Sequence, residues 1–366
     1  MSATLLSSLT TTAVGGPAGR YLEASNERAI IDAVSAADAA GEDLLIVAGG
    51  SNLVVDDAGY PGTVLRIASE GVAIDDPDAT CGGAIVTVQA GHPWDDVVAR
   101  TLDAGLGGLE ALSGIPGSTG ATPVQNVGAY GTDVSKTISR VRTWDRTTGR
   151  VRSFANADLG FGYRDSVLKR TTTNGSPRYV VLTVEFQLEP GGLGAPVAYA
   201  ELAKALGCAV GDRVEATRIR TEVLRLRAGK GMVLDPGDRD TFSTGSFFTN
   251  PIVSAETAAS LPQDAPRFPV VGTGGTAAAD GLVKLSAAWL IDRAGFGKGF
   301  GLPGTPGEAL AGGRAALSTK HTLAIANRGE ATASDILAVA RAVRAGVVDA
   351  FGIELHNEPL LINCAL

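Results

Sequence analysis

Helical and strand patterns mix along this chain without a regular βαβα rhythm, which makes it an α+β protein rather than one doubly wound sheet. Three observations carry that reading. An amphipathic helix and a short apolar strand open the chain, strand patterns predominate from about residue 64 to 187, and helical patterns return beyond a glycine and proline break at 189–196 (EPGGLGAP). A length of 366 residues suits two or three domains, and 45% hydrophobic against 19% charged residues provides a sizeable core.

The first helix is expected over Glu27–Ala40, with Ile30, Ala33, Val34 and Ala37 on one stripe, Asn26 as N-cap and Gly41 as its stop. A buried-type strand, Leu44–Ala48, then runs into Gly49-Gly50-Ser51-Asn52. Neither GxGxxG nor GxxxxGK[ST] follows, so the usual dinucleotide and P-loop assignments fail on their own pattern. Strands are expected at 64–67, 84–90, 138–144, 151–154 and 179–187. One helix among them, Trp94–Ala104, starts after Pro93 and stops at Gly105. Further helices are expected at 199–206, 215–227 and 286–294. The strongest helix is Asp335–Phe351, with a TxxD capping box at Thr332 and Asp335, an apolar stripe and Gly352 as its end. Alternation over Ile353–Leu355 predicts a strand, so that Glu354 or Glu358, which flank His356, turns inward.

Composition removes several classes of function. A net charge of −8 opposes a nucleic-acid partner, whose phosphates it would repel. Three scattered cysteines without CxxC fit a reduced compartment, and three histidines without HxxxH or HExxH give no zinc pattern. The opening MSATLLSSLTTTAVGG lacks the basic start and long apolar stretch of a signal peptide, and no window is apolar enough to span a bilayer. Cytoplasm is the expected location.

The most informative stretch is residues 113–131, SGIPGSTGATPVQNVGAYG, with glycines at 114, 117, 120, 128 and 131 and no charged side chain. Glycine permits positive φ and close approach of a ligand to the main chain, and successive N–H groups in such turns form nests for phosphate oxygens. Composition alone favours an ordinary surface loop. Three other features are ambiguous when taken singly. Ser246 in GSFFTNP sits between a glycine and two aromatics, which suits a proton donor or a turn at a strand edge. Arg164 in YRDS suits a carboxylate clamp or a surface pair with Asp165. Ser166–Lys169 matches SxxK without the companion motifs of acylating serine enzymes and is read as chance.

Taken together, GGSN (49–52), GIPGSTGATPVQNVGAYG (114–131), YRDS (163–166), GSFFTNP (245–251) and IELxxE (353–358) occur in the order found in one family. The chain resembles the UDP-N-acetylenolpyruvoylglucosamine reductases, flavoenzymes of peptidoglycan precursor synthesis. TTTAVGGPA (10–18) and LVKLSAAWLIDRAGFGKG (282–299) also fit, so the resemblance covers essentially the whole chain.

The resemblance implies a two-lobed FAD-binding domain of the vanillyl-alcohol-oxidase or PCMH type and a C-terminal α+β substrate-binding domain. The expected boundaries are 1–68 and 69–222 for the two FAD lobes and 223–354 for the UDP-sugar domain, with 355–366 packing back on the first lobe. It implies non-covalent FAD, NADPH as co-substrate, and reduction of UDP-N-acetylglucosamine enolpyruvate by a monomer. Ser246 would protonate C2 after hydride adds at C3, while Arg164 and Glu358 stabilise the enolic carboxylate. FAD would be held by Gly49, Gly50, Ser51, Asn52, Gly117, Ser118, Thr119, Gly120, Gln125, Asn126 and Gly128, most of them through backbone N–H groups. Tyr163, Tyr199, Lys230, Asn250 and His321 would meet the substrate, Tyr199 on a loop over the UDP diphosphate. The rival readings are another FAD-dependent oxidoreductase acting on an alcohol or hydroxy acid, and a non-catalytic nucleotide-sugar binding protein. The absence of histidine and cysteine from 113–131 disfavours a covalent flavin there, and the presence of Ser246, Arg164 and Glu358 disfavours a catalytically dead relative.

Overall fold

The computed structural model describes residues 3–75, 83–270 and 281–366. The chain folds into two compact units, a central unit of Gly19–Gly49 with Pro61–Gly229 and a terminal unit of Met1–Ala18, Gly50–Tyr60 and Lys230–Leu366.

In the central unit, helix α1 (Glu27–Ala40) forms as its pattern requires. The Asn26 side chain accepts the Ala29 N–H at 3.0 Å, and Gly41 ends the helix at φ 65°. Its buried stripe of Ile30, Val34 and Ala37 belongs to the same core as Leu44 and Leu65, which come from the parallel strands Leu44–Val47 and Tyr60–Ile67. The main sheet of this unit is antiparallel, in the order Arg150–Ala155, Ile138–Asp145, Tyr179–Pro190, Ala84–Gln89 and Val72–Ile74. Its inward residues, among them Val86, Val88, Val141, Val184 and Phe186, are buried under helix α2 (Trp94–Asp103), whose Trp94 ring lies 5.6 Å from that of Phe186. Helices α3 (Ala200–Leu206) and α4 (Ala216–Gly229) share a smaller apolar cluster.

The terminal unit is organised around helix α6 (Ala333–Phe351), which follows α5 (Ala287–Arg293). The expected capping box is present: the Thr332 hydroxyl accepts the Asp335 N–H at 3.1 Å, and the Asp335 carboxylate accepts the Thr332 N–H at 3.0 Å. Ile336, Val339, Ala340, Val343 and Val347 are completely buried, and each such side chain contributes about 1.5–3 kcal/mol of hydrophobic stabilisation, Ala340 less. Strand Leu360–Ile362 pairs in parallel with Leu53–Val55, which ties the C-terminal segment to the stretch after Asn52. The strand expected over Ile353–Leu355 does not form. Ile353 and Leu355 are buried, so the alternation records burial in the α6 core, and the ladder begins five residues later.

Candidate active site

The glycine-rich run sits in the central unit, separated from α2 by the short strand Leu106–Gly107 and the turn Glu110–Leu112, and side chains of that helix and of α4 set its path. The Asp95 carboxylate accepts the Gly114 N–H at 2.6 Å and receives the Arg220 guanidinium bidentately at 2.6 and 2.8 Å. Burial alone would raise the Asp95 pKa, but these hydrogen bonds hold it below the usual carboxylate range. Further along, Gly117 faces Gly49 so closely that a Cβ on Gly49 would stand 2.5 Å from Gly117 Cα. Any side chain at residue 49 would therefore force the two turns apart. Ser118 is 2% exposed, and among the described residues its buried Oγ has no hydrogen-bond partner. A tight seam of main chain with an orphaned hydroxyl in it fits a phosphate-bearing cofactor.

Two members of the run act differently from the expectation. The N–H of Thr119 donates to His92 O at 2.9 Å and that of Gly120 to Ala90 O at 2.8 Å. These two donors are used by the fold, so Thr119 and Gly120 supply shape. A Cβ at Gly120 would meet that of Ala90 at 2.7 Å, which explains the glycine.

Arg164 is bound to the same run. Its guanidinium donates to Gly128 O at 2.7 Å and Asn126 O at 3.4 Å, and Lys169 Nζ donates to Arg164 O at 2.9 Å. Asn126, Tyr130 and Arg164 all take positive φ, at 46°, 48° and 53°. Such strain in three non-glycine residues of one neighbourhood is typical of a site whose geometry the surrounding fold enforces. Asp165 pairs with Arg170 rather than with Arg164. Ser166 is a structural cap, donating to Val124 O and accepting the Lys169 N–H, which accounts for the SxxK match without chemistry. Tyr163 and Tyr199 are exposed, and the Tyr199 ring meets that of Tyr130 edge-on at 5.8 Å.

In the terminal unit the backbone brings together Asn52, Glu358 and the Ser246 segment. Glu358 N–H donates to Phe247 O at 2.8 Å, Thr249 N–H donates to His356 O at 3.0 Å, and Phe248 pairs with Asn357. Asn52 closes the other side: its Nδ2 donates to Glu358 O at 3.3 Å, and its carbonyl accepts the Leu360 N–H at 2.9 Å. Ser246 and Glu358 are thus held on adjacent antiparallel segments, both half-buried, with the completely buried rings of Phe247 and Phe248 beneath them. Gly50 packs against Leu9 O without room for a Cβ, and Ser51 follows it in the same turn. Asn250 lies at the end of the segment, where its Oδ1 accepts the Ala287 N–H of α5 at 2.9 Å. His321 belongs to a turn capped by the Ser318 hydroxyl, and Lys230 directly follows α4. Gln125 and Gly128 complete the glycine-rich run of the central unit.

A profile described as an FAD binding domain matches residues 18–155, and one described as the C-terminal domain of UDP-N-acetylenolpyruvoylglucosamine reductase matches 236–362. A curated UDP-N-acetylenolpyruvoylglucosamine reductase from Saccharopolyspora erythraea is 52% identical, with 99% of this chain and 95% of that protein aligned. The chain belongs to the UDP-N-acetylenolpyruvoylglucosamine reductase family. A second reductase of the family, from Mycolicibacterium smegmatis, is 51% identical over 99% of this chain and 95% of its own length. The crystal structure of the Thermus caldophilus family member shares the fold, with a TM-score of 0.61 at 24% identity over 98% of each chain. The α+β class and the FAD-binding domain inferred from the ordered motifs are those of this family.

Sequence reading missed Arg227. It lies near the end of α4, half-buried, and its charge acts on both Tyr130 and Arg164. Burial pushes its guanidinium down to about 10 and pushes the Tyr130 phenol up to about 12. In the sequence Arg227 is one of several arginines on a polar helix, and only the fold singles it out. Asp95 and Arg220 were equally silent, because their contact joins α2 to α4 across 125 residues.

Proposed function

We propose that this protein is an NADPH-dependent FAD enzyme that reduces UDP-N-acetylglucosamine enolpyruvate to UDP-N-acetylmuramate. The observation that carries the reading is the pairing of the Ser246 and Glu358 segments in a chain about 50% identical to reductases of this name along its whole length. The alcohol-oxidase and non-catalytic alternatives are not favoured by that likeness. When bound, FAD supplies the hydride that NADPH gives and that the enolpyruvyl C3 receives.

The remaining chemistry falls to the chain. Hydride addition beside a carboxylate builds negative charge on the carboxyl oxygens, and preorganised donors there lower the barrier most. Arg164 is assigned that task, its guanidinium steadied by Gly128 O and Asn126 O. Glu358 is assigned to the same carboxylate, as a second group that orients it. The Ser246 hydroxyl then delivers the proton to C2. FAD is assigned to Gly49, Gly50, Ser51, Asn52, Gly117, Ser118, Gln125, Asn126 and Gly128, with Thr119 and Gly120 shaping the turn. Tyr163, Tyr199, Lys230, Asn250 and His321 are assigned to the sugar nucleotide. In functional terms 1–68 and 69–222 serve the cofactor, 223–354 the UDP-sugar, and 355–366 closes on the first of these. The reading makes the enzyme a cytoplasmic monomer that feeds cell-wall synthesis. Among the described residues no helix is long and apolar enough to cross a membrane.

The test is direct. The purified protein should show a flavin absorption spectrum, and it should turn over NADPH beyond one equivalent per flavin only when the enolpyruvyl UDP-sugar is supplied. A colourless protein unable to take up FAD would sink the proposal, and a flavin reoxidised by alcohols or hydroxy acids instead would replace it with the oxidase reading. The Gly49–Gly117 seam gives a sharper expectation. Gly49→Ala forces a backbone shift, because its Cβ contact is with main chain. Flavin retained after gel filtration, measured by absorbance, should fall about tenfold, equivalent to a loss of about 1.4 kcal/mol in binding.

A further inference from the structure

Glu110, in the turn Glu110–Leu112 just before the glycine-rich run, is 1% exposed and accepts two backbone N–H groups. Oε2 takes the Gly108 N–H and Oε1 the Ala195 N–H, each at 2.6 Å. Ala195 lies in the segment 193–199 that ends in Tyr199, so a single buried carboxylate links the approach to the glycine-rich run with the backbone that presents Tyr199. Gly194 is built for this contact, since a Cβ there would stand 2.7 Å from Glu110 Oε1 and 2.5 Å from Ile219 Cδ1. Arg213 Nε donates to Gly194 O at 3.0 Å, and Gly194 N–H donates to Val214 O at 2.8 Å. At the far end Gly131 abuts Ala198, next to the edge-on Tyr130–Tyr199 pair. A cavity of about 420 Å³ lies among Glu110, Tyr130, Val197, Ala198 and Leu202. The segment is held by packing and by polar ties together: Val197 is buried in the apolar cluster of α3 and α4, its N–H donates to Asp212 O at 2.9 Å and its carbonyl accepts the Gly211 N–H at 2.8 Å, and Glu110 supplies the tie at Ala195.

We infer that Glu110 is a positioning residue for the known reaction, fixing through its two N–H contacts where Tyr199 stands over the UDP diphosphate. The inference rests on the reading of Tyr199 as a substrate ligand. Only a carboxylate serves here: both partners are donors, a carboxylate offers acceptors alone, and glutamine would turn an NH₂ toward one of them. Aspartate is one methylene too short to reach both.

The experiment compares Glu110→Gln, Tyr199→Ala and the double variant as flavin-loaded enzymes. It measures KM for the UDP-sugar, kcat, the limiting rate of flavin reduction by NADPH, and the Kd of UDP by calorimetry. Glu110→Gln should raise KM and the Kd of UDP about tenfold through the unmet N–H, with kcat and limiting flavin reduction within about twofold. On the Tyr199→Ala background it should add nothing, because both changes remove the same contact. Additive losses, or an equal fall in flavin reduction, would make Glu110 a general structural residue and overturn the inference. A Tyr199→Ala enzyme with unchanged KM and UDP affinity would remove the reading of Tyr199, and the inference with it. If Glu110→Gln does not fold, Gly194→Ala perturbs the same clamp from the other side and should show the same split. Unchanged KM in that variant would also overturn the inference.

Discussion

Replacing Ser246 by alanine is expected to slow the oxidative half-reaction by about 10²–10⁴-fold, the range for removing a positioned proton donor. Flavin reduction by NADPH should continue at its normal rate, because no proton from Ser246 enters that half. The affinity for the UDP-sugar should hardly move, since the hydroxyl acts in the transition state and contributes little to ground-state binding. The fold should survive as well. The main chain next to Ser246 is held by Phe247 N–H to Leu323 O at 2.7 Å and Glu358 N–H to Phe247 O at 2.8 Å on one side and by Gly245 N–H to Ser243 Oγ at 3.1 Å on the other, and none of these bonds uses the Ser246 hydroxyl. Stopped-flow absorbance of the two half-reactions decides the matter. If both proceed unchanged, the proton comes from elsewhere and the assignment of Ser246 fails.

This prediction depends on a site that was only partly legible in the sequence. Local signals survived translation into structure. Asn26 and Gly41 bound α1, Thr332 and Asp335 cap α6, and the glycines at 49 and 117 mark a place where main chains touch. Each of these features acts within a few residues or depends on the absence of a side chain, so sequence alone expresses it. Long-range polar ties were not legible. The Asp95–Arg220 pair, the Glu110 contacts and the setting of the half-buried Arg227 depend on which helices pack together, and nothing in a helix of ordinary composition announces such a partner. The strand expected at Ile353–Leu355 failed for a related reason. Alternation reports burial on one side, and a neighbouring strand is needed before burial becomes a ladder. Ordered motifs therefore identified the family, whereas the residues that aim its side chains emerged only from contacts.

Replacing Asp240 by alanine should destabilise the terminal unit by about 3 kcal/mol, the scale for breaking one side of a buried charge pair. Asp240 is 3% exposed and accepts hydrogen bonds from Arg328 and Thr319. Arg328 donates to Oδ1 at 2.7 Å, the Thr319 N–H donates to Oδ1 at 2.9 Å, and the Thr319 hydroxyl donates to Oδ2 at 2.5 Å. Burial by itself would raise the Asp240 pKa, but the bonds from Thr319 and the charge of Arg328 outweigh it and hold the carboxyl below its ordinary range. A carboxyl lowered on folding stabilises the protein above its unfolded pKa and loses that contribution as the pH falls through the folded value. The wild-type protein should therefore lose stability below about pH 4, and the variant should lose less over the same interval. Chemical denaturation from pH 7 to pH 3 measures both curves, and their difference cancels the contributions of the other lowered carboxyls, Asp95 and Asp335 among them. Function should suffer along with stability. Asp240 fixes the turn of residues 318–321 that carries His321, and Phe242, two residues on, accepts the Asn327 N–H at 2.9 Å just before the Ser246 segment begins. The loss of that anchor should raise KM for the UDP-sugar even under conditions where the variant is fully folded, and an unchanged KM there would confine Asp240 to stability alone.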